Sequence, residues 1–202
     1  DALLTSDVKA LLVTAHETST GLLNDIQALG ELTRNKGILL IVDAVSSIGA
    51  DTFKMDEWGC DCAIVSTQKA LACMPGISFI VFSERALQVI PKVKRHRYYF
   101  DALEYLRNAS RGMLPYTPAI NVTYQVHERL KRIKQMGLDQ YIAQHRQKAE
   151  VFRQAMLSHA DFSLFAQRQS NALSSIRLPD YCSMSQIIGY IKERFGLYIA
   201  PN

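Results

Sequence analysis

Ile38-Leu39-Leu40-Ile41-Val42-Asp43 is the stretch that decides the fold. An apolar run this short, ended by a carboxylate, reads as a strand buried on both faces, as strands of parallel sheets are. Working outward, Ala63-Ile64-Val65-Ser66-Thr67-Gln68 is a second such run and leads into Lys69. Residues 8–15 and 77–82 read as two more strands. Between the first strands, Asn24 is a plausible N-cap for a helix with apolar Ile26, Leu29 and Leu32, stopped by Gly37. Strands alternating with helices predict an α/β fold with a mostly parallel sheet.

In open sheets of this kind, ligands sit at the carboxyl ends of the strands. Asp43 and Lys69 are both delivered to that edge. A carboxylate buried at the end of an apolar run is costly unless it is paired. A lysine beside it suits pyridoxal phosphate chemistry, in which the amine forms a Schiff base and the acid keeps the pyridinium nitrogen protonated. Taken alone, each has an ordinary reading: Lys69 a surface lysine after a strand, Asp43 a turn cap.

Three motifs occur in order along the chain: His16-Glu17-Thr18-Ser19-Thr20-Gly21, Asp43-Ala44-Val45-Ser46-Ser47 and Ser66-Thr67-Gln68-Lys69-Ala70-Leu71. Together they resemble the class V, fold-type I, pyridoxal-phosphate-dependent aminotransferases, above all the alanine–glyoxylate / serine–pyruvate group. The resemblance runs from about Val8 to the last residue. It implies the large cofactor-binding domain of fold-type I enzymes over residues 1–136 and part of a small C-terminal α+β domain over residues 137–202. It also implies that this is an internal piece of a longer enzyme, without the family's N-terminal phosphate loop, its ring-stacking aromatic residue and its C-terminal substrate-binding arginine.

The resemblance assigns the site residue by residue. Lys69 would carry the cofactor and move protons, and Asp43 would face the ring nitrogen. Val45 would pack on the ring and Thr18 would sit near its phenolic oxygen. Gln68 would contact the phosphate, and Thr117 would reach the phosphate of a second subunit, placing the active site at a homodimer interface. Leu114 departs from the family pattern, since some relatives carry a hydroxyl there. His16 reads either as an orienting residue or as a satisfied structural histidine, and Glu17 as a brace for its turn. The implied reaction moves an amino group between alanine or serine and glyoxylate or pyruvate. A 2-aminoethylphosphonate–pyruvate transaminase and a non-catalytic dimer on the same fold are the alternatives.

Composition is that of a globular protein: 202 residues, 48% hydrophobic, 21% charged, net charge +4. No apolar stretch approaches the ~18 residues of a membrane span. The densest basic run, Lys92-Val93-Lys94-Arg95-His96-Arg97, reads as a solvated connector rather than a nucleic-acid contact. Cys60, Cys62, Cys73 and Cys182 show no metal-ligand spacing and suit free thiols in a reducing, cytoplasmic setting.

Further along, residues 98–107 predict a helix, and Thr117-Pro118 reads as a capping hydroxyl before a first-turn proline. Long helices should run to Gly137 and from Leu138 to about His159. Strands are expected at residues 172–178 and 197–200, with a helix at 183–195 between them.

Overall fold

The computed structural model describes residues 4–94 and 96–199. Strand β1 (Ala10–Thr14) runs into a small hairpin, β2 (His16–Glu17) with β3 (Leu22–Leu23), then helix α1 (Ile26–Asn35) and strand β4 (Leu39–Asp43). A one-turn helix α2 (Met55–Trp58), strands β5 (Cys62–Ser66) and β6 (Ser78–Phe82), and helices α3 (Glu84–Val89) and α4 (Ala102–Ala109) follow. Two long helices, α5 (Ile120–Met136) and α6 (Leu138–Leu157), precede a short pairing of β7 (Ser163–Leu164) with β8 (Ile176–Arg177) and then α7 (Met184–Phe195).

The main sheet has four strands in the order β1-β4-β5-β6. β1, β4 and β5 are parallel, and β6 returns antiparallel to β5. Asp43 stands opposite Thr14 on one side and Ile64 on the other, so these three carboxyl ends are level. Leu40 and Val42 are fully buried, and pack with Ile26, Ala15, Ala44, Cys60 and Ala63 into the core. Phe53, Met55 and Trp58 close over that cluster. β6 is different: Phe79, Ile80 and Val81 are exposed at the sheet edge. No helix of the described residues is long and apolar enough to cross a membrane.

The start of α1 corrects the cap expected from sequence. Asp25, not Asn24, is the N-cap, its carboxylate accepting the Ala28 N–H at 3.1 Å. Asn24 is occupied one step earlier, its amide donating to the Thr14 carbonyl at 2.8 Å and its backbone N–H to Ala15. Both residues are good cap formers, and the tie to β1 decides between them. Along α1, Gly30 lets the helix approach the α2 turn: a Cβ built there falls 1.7 Å from the Trp58 carbonyl oxygen. Gly30→Ala is therefore expected to destabilise the fold by about 2 kcal/mol despite alanine's better helix propensity. Chemical denaturation checks this, and an unchanged midpoint would contradict it.

Other expectations shift for local reasons. Ser83 caps α3, accepting from Ala86 N–H, and Pro91 falls in a 3₁₀ turn beyond it. α4 begins at Ala102 because Asp101 caps it, leaving residues 98–100 outside the helix. α5 begins at Ile120 after Ala119, so Thr117 is not its cap and Pro118 lies outside the first turn. α5 and α6 are separated by Gly137 at φ +92, a conformation a residue with a Cβ rarely adopts. Of the strand expected at 172–178, only Ile176 and Arg177 pair. Residues 197–199 form no strand, and Ala200 lies outside the described residues, as does Arg95 in the basic run.

A polar clamp fixes the opposite end of the sheet. The buried Asp61 carboxylate accepts from Leu40 N–H at 2.9 Å, Ser83 Oγ at 2.9 Å and Arg85 Nε at 2.8 Å, and pairs with Arg85 Nη2. Arg85 also donates to the Ile38 carbonyl at 2.9 Å. Burial pushes the Asp61 carboxyl up, but the bonds from Arg85, Leu40 and Ser83 outweigh it and hold it below the usual carboxylate range. Strands β4, β5 and β6 are thus joined through one side chain.

Candidate active site

The site is built from loops at the carboxyl ends of β1, β4 and β5. After β1 the chain turns through the hairpin that carries His16, Glu17 and Thr18. Glu17 accepts from Ser19 N–H at 3.1 Å and Ser19 Oγ at 2.9 Å, so it braces the turn as expected. Gly21 closes that turn at φ +74, with the Gln169 side chain and Ser175 packed where a Cβ would stand. Ser46, from the loop after β4, donates to the His16 carbonyl at 2.9 Å and holds the two loops together.

Asp43 is exposed at the end of β4. Its Oδ1 accepts the Val45 N–H at 2.9 Å, which orients the carboxylate; no donor among the described residues reaches Oδ2. Val45 is half-buried beside it.

Lys69 is exposed in the turn that follows β5. Several side chains hold this turn from different sides. Thr67, fully buried, donates to the Met74 carbonyl at 2.7 Å, while its own carbonyl accepts Cys73 N–H. From α5, Gln125 accepts Met74 N–H at 2.9 Å and Arg129 donates to the Ala72 carbonyl at 3.4 Å. From α6, the Tyr141 hydroxyl donates to the Ala70 carbonyl, and its ring packs with Val65, Leu71, Ile133 and Ile48. Ala72 within the turn has φ +51, alone among the described non-glycine residues in being left-handed. Such a conformation persists only where the surroundings impose it, and here they do. Ser66 Oγ donates to Gln68 Oε1, which leaves the amide N–H groups of exposed Gln68 available as donors.

A cleft of about 230 Å³ brings together His16, Thr18, Ser46, Lys69, Ala70 and His145, with Ala172 and Leu173 as its far wall. Asp43, Val45, Gln68 and Thr117 do not line this cleft. The first three stand on the adjoining strand ends, whereas exposed Thr117 lies in the loop before α5. The wall at Ala172 and Leu173 is carried by a distant segment pinned to the loop after β4. Buried Asp51 accepts from Ser170 Oγ and from Asn171 N–H at 2.8 Å. Arg153 of α6 holds the same segment through the carbonyls of Ser170 and Leu173 and the Ser174 hydroxyl.

His16 is 1% exposed, and no described residue hydrogen-bonds to either ring nitrogen. Among the described residues it is therefore a buried imidazole without a hydrogen-bond partner. Burial pushes its pKa below 6.5, against the nearby charges of Asp51 and Glu17 and with that of Lys69. A backbone dipole at Ser46 also favours protonation, without reaching hydrogen-bond geometry with the ring. His145, stacked edge-on to Tyr141 at 5.0 Å, is likewise held below 6.5, first by burial and then by Lys148, against Asp51. Both imidazoles bind protons more readily in the unfolded chain, so stability rises with pH up to about 6.5 and falls as pH drops below it. Denaturation midpoints measured between about pH 8 and about pH 5 should show this slope, and it should be shallower in His16→Leu. A midpoint that rises on acidification would contradict it.

The donor set fits pyridoxal phosphate. An oriented carboxylate with a free oxygen, an exposed lysine on the adjacent strand end, amide and hydroxyl donors and an unpartnered buried imidazole all converge on one sheet edge. Among the described residues no group of His, Cys, Asp and Glu forms a metal cluster.

Comparison with known proteins agrees with this geometry. The family model for aminotransferase class-V matches residues 1–199. Serine–glyoxylate aminotransferase of Arabidopsis thaliana is 33% identical over 94% of this chain and 49% of its own length. L-aspartate–glyoxylate aminotransferase of Paracoccus denitrificans is 31% identical over 98% of this chain and 52% of its own. The crystal structure of alanine–glyoxylate aminotransferase from Nostoc superposes with a TM-score of 0.86 at 27% identity, covering 96% of this chain and 52% of that one. The chain spans about half the length of the relatives it matches. Its sheet and flanking helices are those of fold-type I aminotransferases, and the chain belongs to the aminotransferase class-V family.

Proposed function

We propose that the protein is a pyridoxal-phosphate-dependent transaminase that moves an amino group between a small amino acid, alanine or serine, and glyoxylate or pyruvate. The observation that carries this reading is Lys69, held exposed in a braced turn at the end of β5, with Asp43 oriented at the end of the adjacent parallel strand. When bound, pyridoxal phosphate supplies an electron-accepting ring. Asp43 would hold the proton on the ring nitrogen through Oδ2, and Val45 would press on the ring face. Gln68 would donate to the phosphate, and Thr18 would hydrogen-bond near the phenolic oxygen. Lys69 would hold the cofactor and then move the proton between substrate carbon and cofactor, a task for an amine placed within reach of both.

Glyoxylate as acceptor is supported by the similarity to serine–glyoxylate and L-aspartate–glyoxylate aminotransferases, which share it while their donors differ. Thr117 is read as a phosphate contact across a homodimer interface; it is exposed and does not line the cleft of its own chain. The same reading divides the chain near Gly137, whose positive φ separates α5 from α6. Free thiols at Cys60, Cys62, Cys73 and Cys182 favour a cytoplasmic setting.

The test is to supply the full-length protein with pyridoxal phosphate, alanine or serine, and glyoxylate, and to assay the product oxo acid and glycine. Formation of both in equal amounts is expected. A full-length protein that binds the cofactor but transfers no amino group to glyoxylate or pyruvate would sink the proposed reaction.

A further inference from the structure

We propose that His16 is a direct binding contact for pyridoxal phosphate in the Lys69 cleft, an addition to the residues assigned above that rests on the cofactor reading. The ring is almost entirely buried, yet it lines the same cleft as Thr18, Lys69 and His145. Neither ring nitrogen has a partner among the described residues. Buried polar groups in folded proteins are nearly always hydrogen-bonded, and an unsatisfied one destabilises the fold. The imidazole is not an accident of packing at the protein surface: Ser46 pins its backbone, and the neighbouring Asp51 and Arg153 have their own partners in the 170–174 segment.

The chemistry of the group is definite. A neutral imidazole offers one N–H donor and one acceptor nitrogen. Held neutral at physiological pH first by its burial, it can give its N–H to a cofactor oxygen without placing a cation in the cleft. Glu17 and Asp51 lie near enough to influence the ring, and neither bonds to it. Contact with the cofactor would satisfy a group that is otherwise left without a partner. Removing the imidazole should therefore affect the free and bound protein in opposite directions, and a purely structural histidine would not behave so.

The experiment uses the full-length protein and two variants, His16→Leu and His16→Asn. Pyridoxal phosphate affinity is measured by absorbance titration, and the stability of the cofactor-free protein by denaturant midpoint. For His16→Leu, an affinity about tenfold weaker is expected, the equivalent of one lost hydrogen bond. Its cofactor-free midpoint should be unchanged or higher. His16→Asn, which keeps a donor and an acceptor, should recover part of the affinity. A cofactor-free His16→Leu that is less stable than the parent overturns the proposal, whatever its affinity, because the ring then has a structural partner. Equal affinity in parent and His16→Leu overturns it too, and leaves the transaminase reading standing. A parent protein that binds no pyridoxal phosphate overturns both.

Discussion

Replacing Lys69 with alanine is expected to lower amino-group transfer by at least about 10³-fold, the scale of a lost proton-transferring nucleophile. The fold should be indifferent to the change. Lys69 is exposed, and the turn that carries it is held by Thr67, Gln125, Arg129 and Tyr141 rather than by the lysine itself. The denaturation midpoint should thus move by no more than about 0.5 kcal/mol, as for other exposed substitutions. Steady-state transfer rates and a denaturation curve on the same preparation check both halves. A variant that keeps a tenth or more of the rate would remove Lys69 from the chemistry. One that loses both rate and stability would leave its role structural.

The second large effect concerns stability alone. Arg85→Ala is expected to cost about 3 kcal/mol, because it leaves the Asp61 carboxylate buried without its counter-charge. The Asp61 side chain is 4% exposed and that of Arg85 37%, which places the cost at the lower end for buried pairs. The carboxylate would keep its bonds from Leu40 and Ser83, but the Ile38 carbonyl and the ion pair would both lose a partner. The double variant Asp61→Leu with Arg85→Leu should regain part of the loss, since no charge is then stranded. Urea denaturation reads both. A loss below about 1 kcal/mol for Arg85→Ala would show that the pair behaves as an exposed surface bridge.

The sheet and the family motifs at its carboxyl edge were legible because their signals are local. The apolar run of residues 38–43 and the carboxylate that ends it mark the strand and its carboxyl end, although Leu39 and Ile41 are only half-buried and Asp43 is exposed rather than buried. Residues 63–69 are marked in the same way. The cleft was harder to read because its walls come from afar. Nothing near Ala172 or Leu173 announces that Asp51 and Arg153 will draw that segment onto the loop after β4. Tyr141 supports the lysine turn from a helix far along the chain. A weak trace of the helix contribution does exist, since His145 is four residues past Tyr141 on the inward side of α6.

Where two neighbouring residues could do the same job, local chemistry could not choose between them. Asn24 and Asp25 are both fit to cap α1, and the bond from Asn24 to Thr14 settles which one does. Thr117-Pro118 has the composition of a helix start, yet α5 opens later at Ile120, after Ala119. His16 had two readings from sequence, and among the described residues neither ring nitrogen has a partner. The role proposed for it rests on a negative feature of its surroundings, which no motif encodes.

The most direct test of the central claim is to load the full-length protein with pyridoxal phosphate, reduce it with borohydride and map the modified peptide by mass spectrometry. A single pyridoxyl group on Lys69 is expected, absent after prior exchange with excess alanine. Labelling of another lysine, or scattered labelling of several, would contradict it.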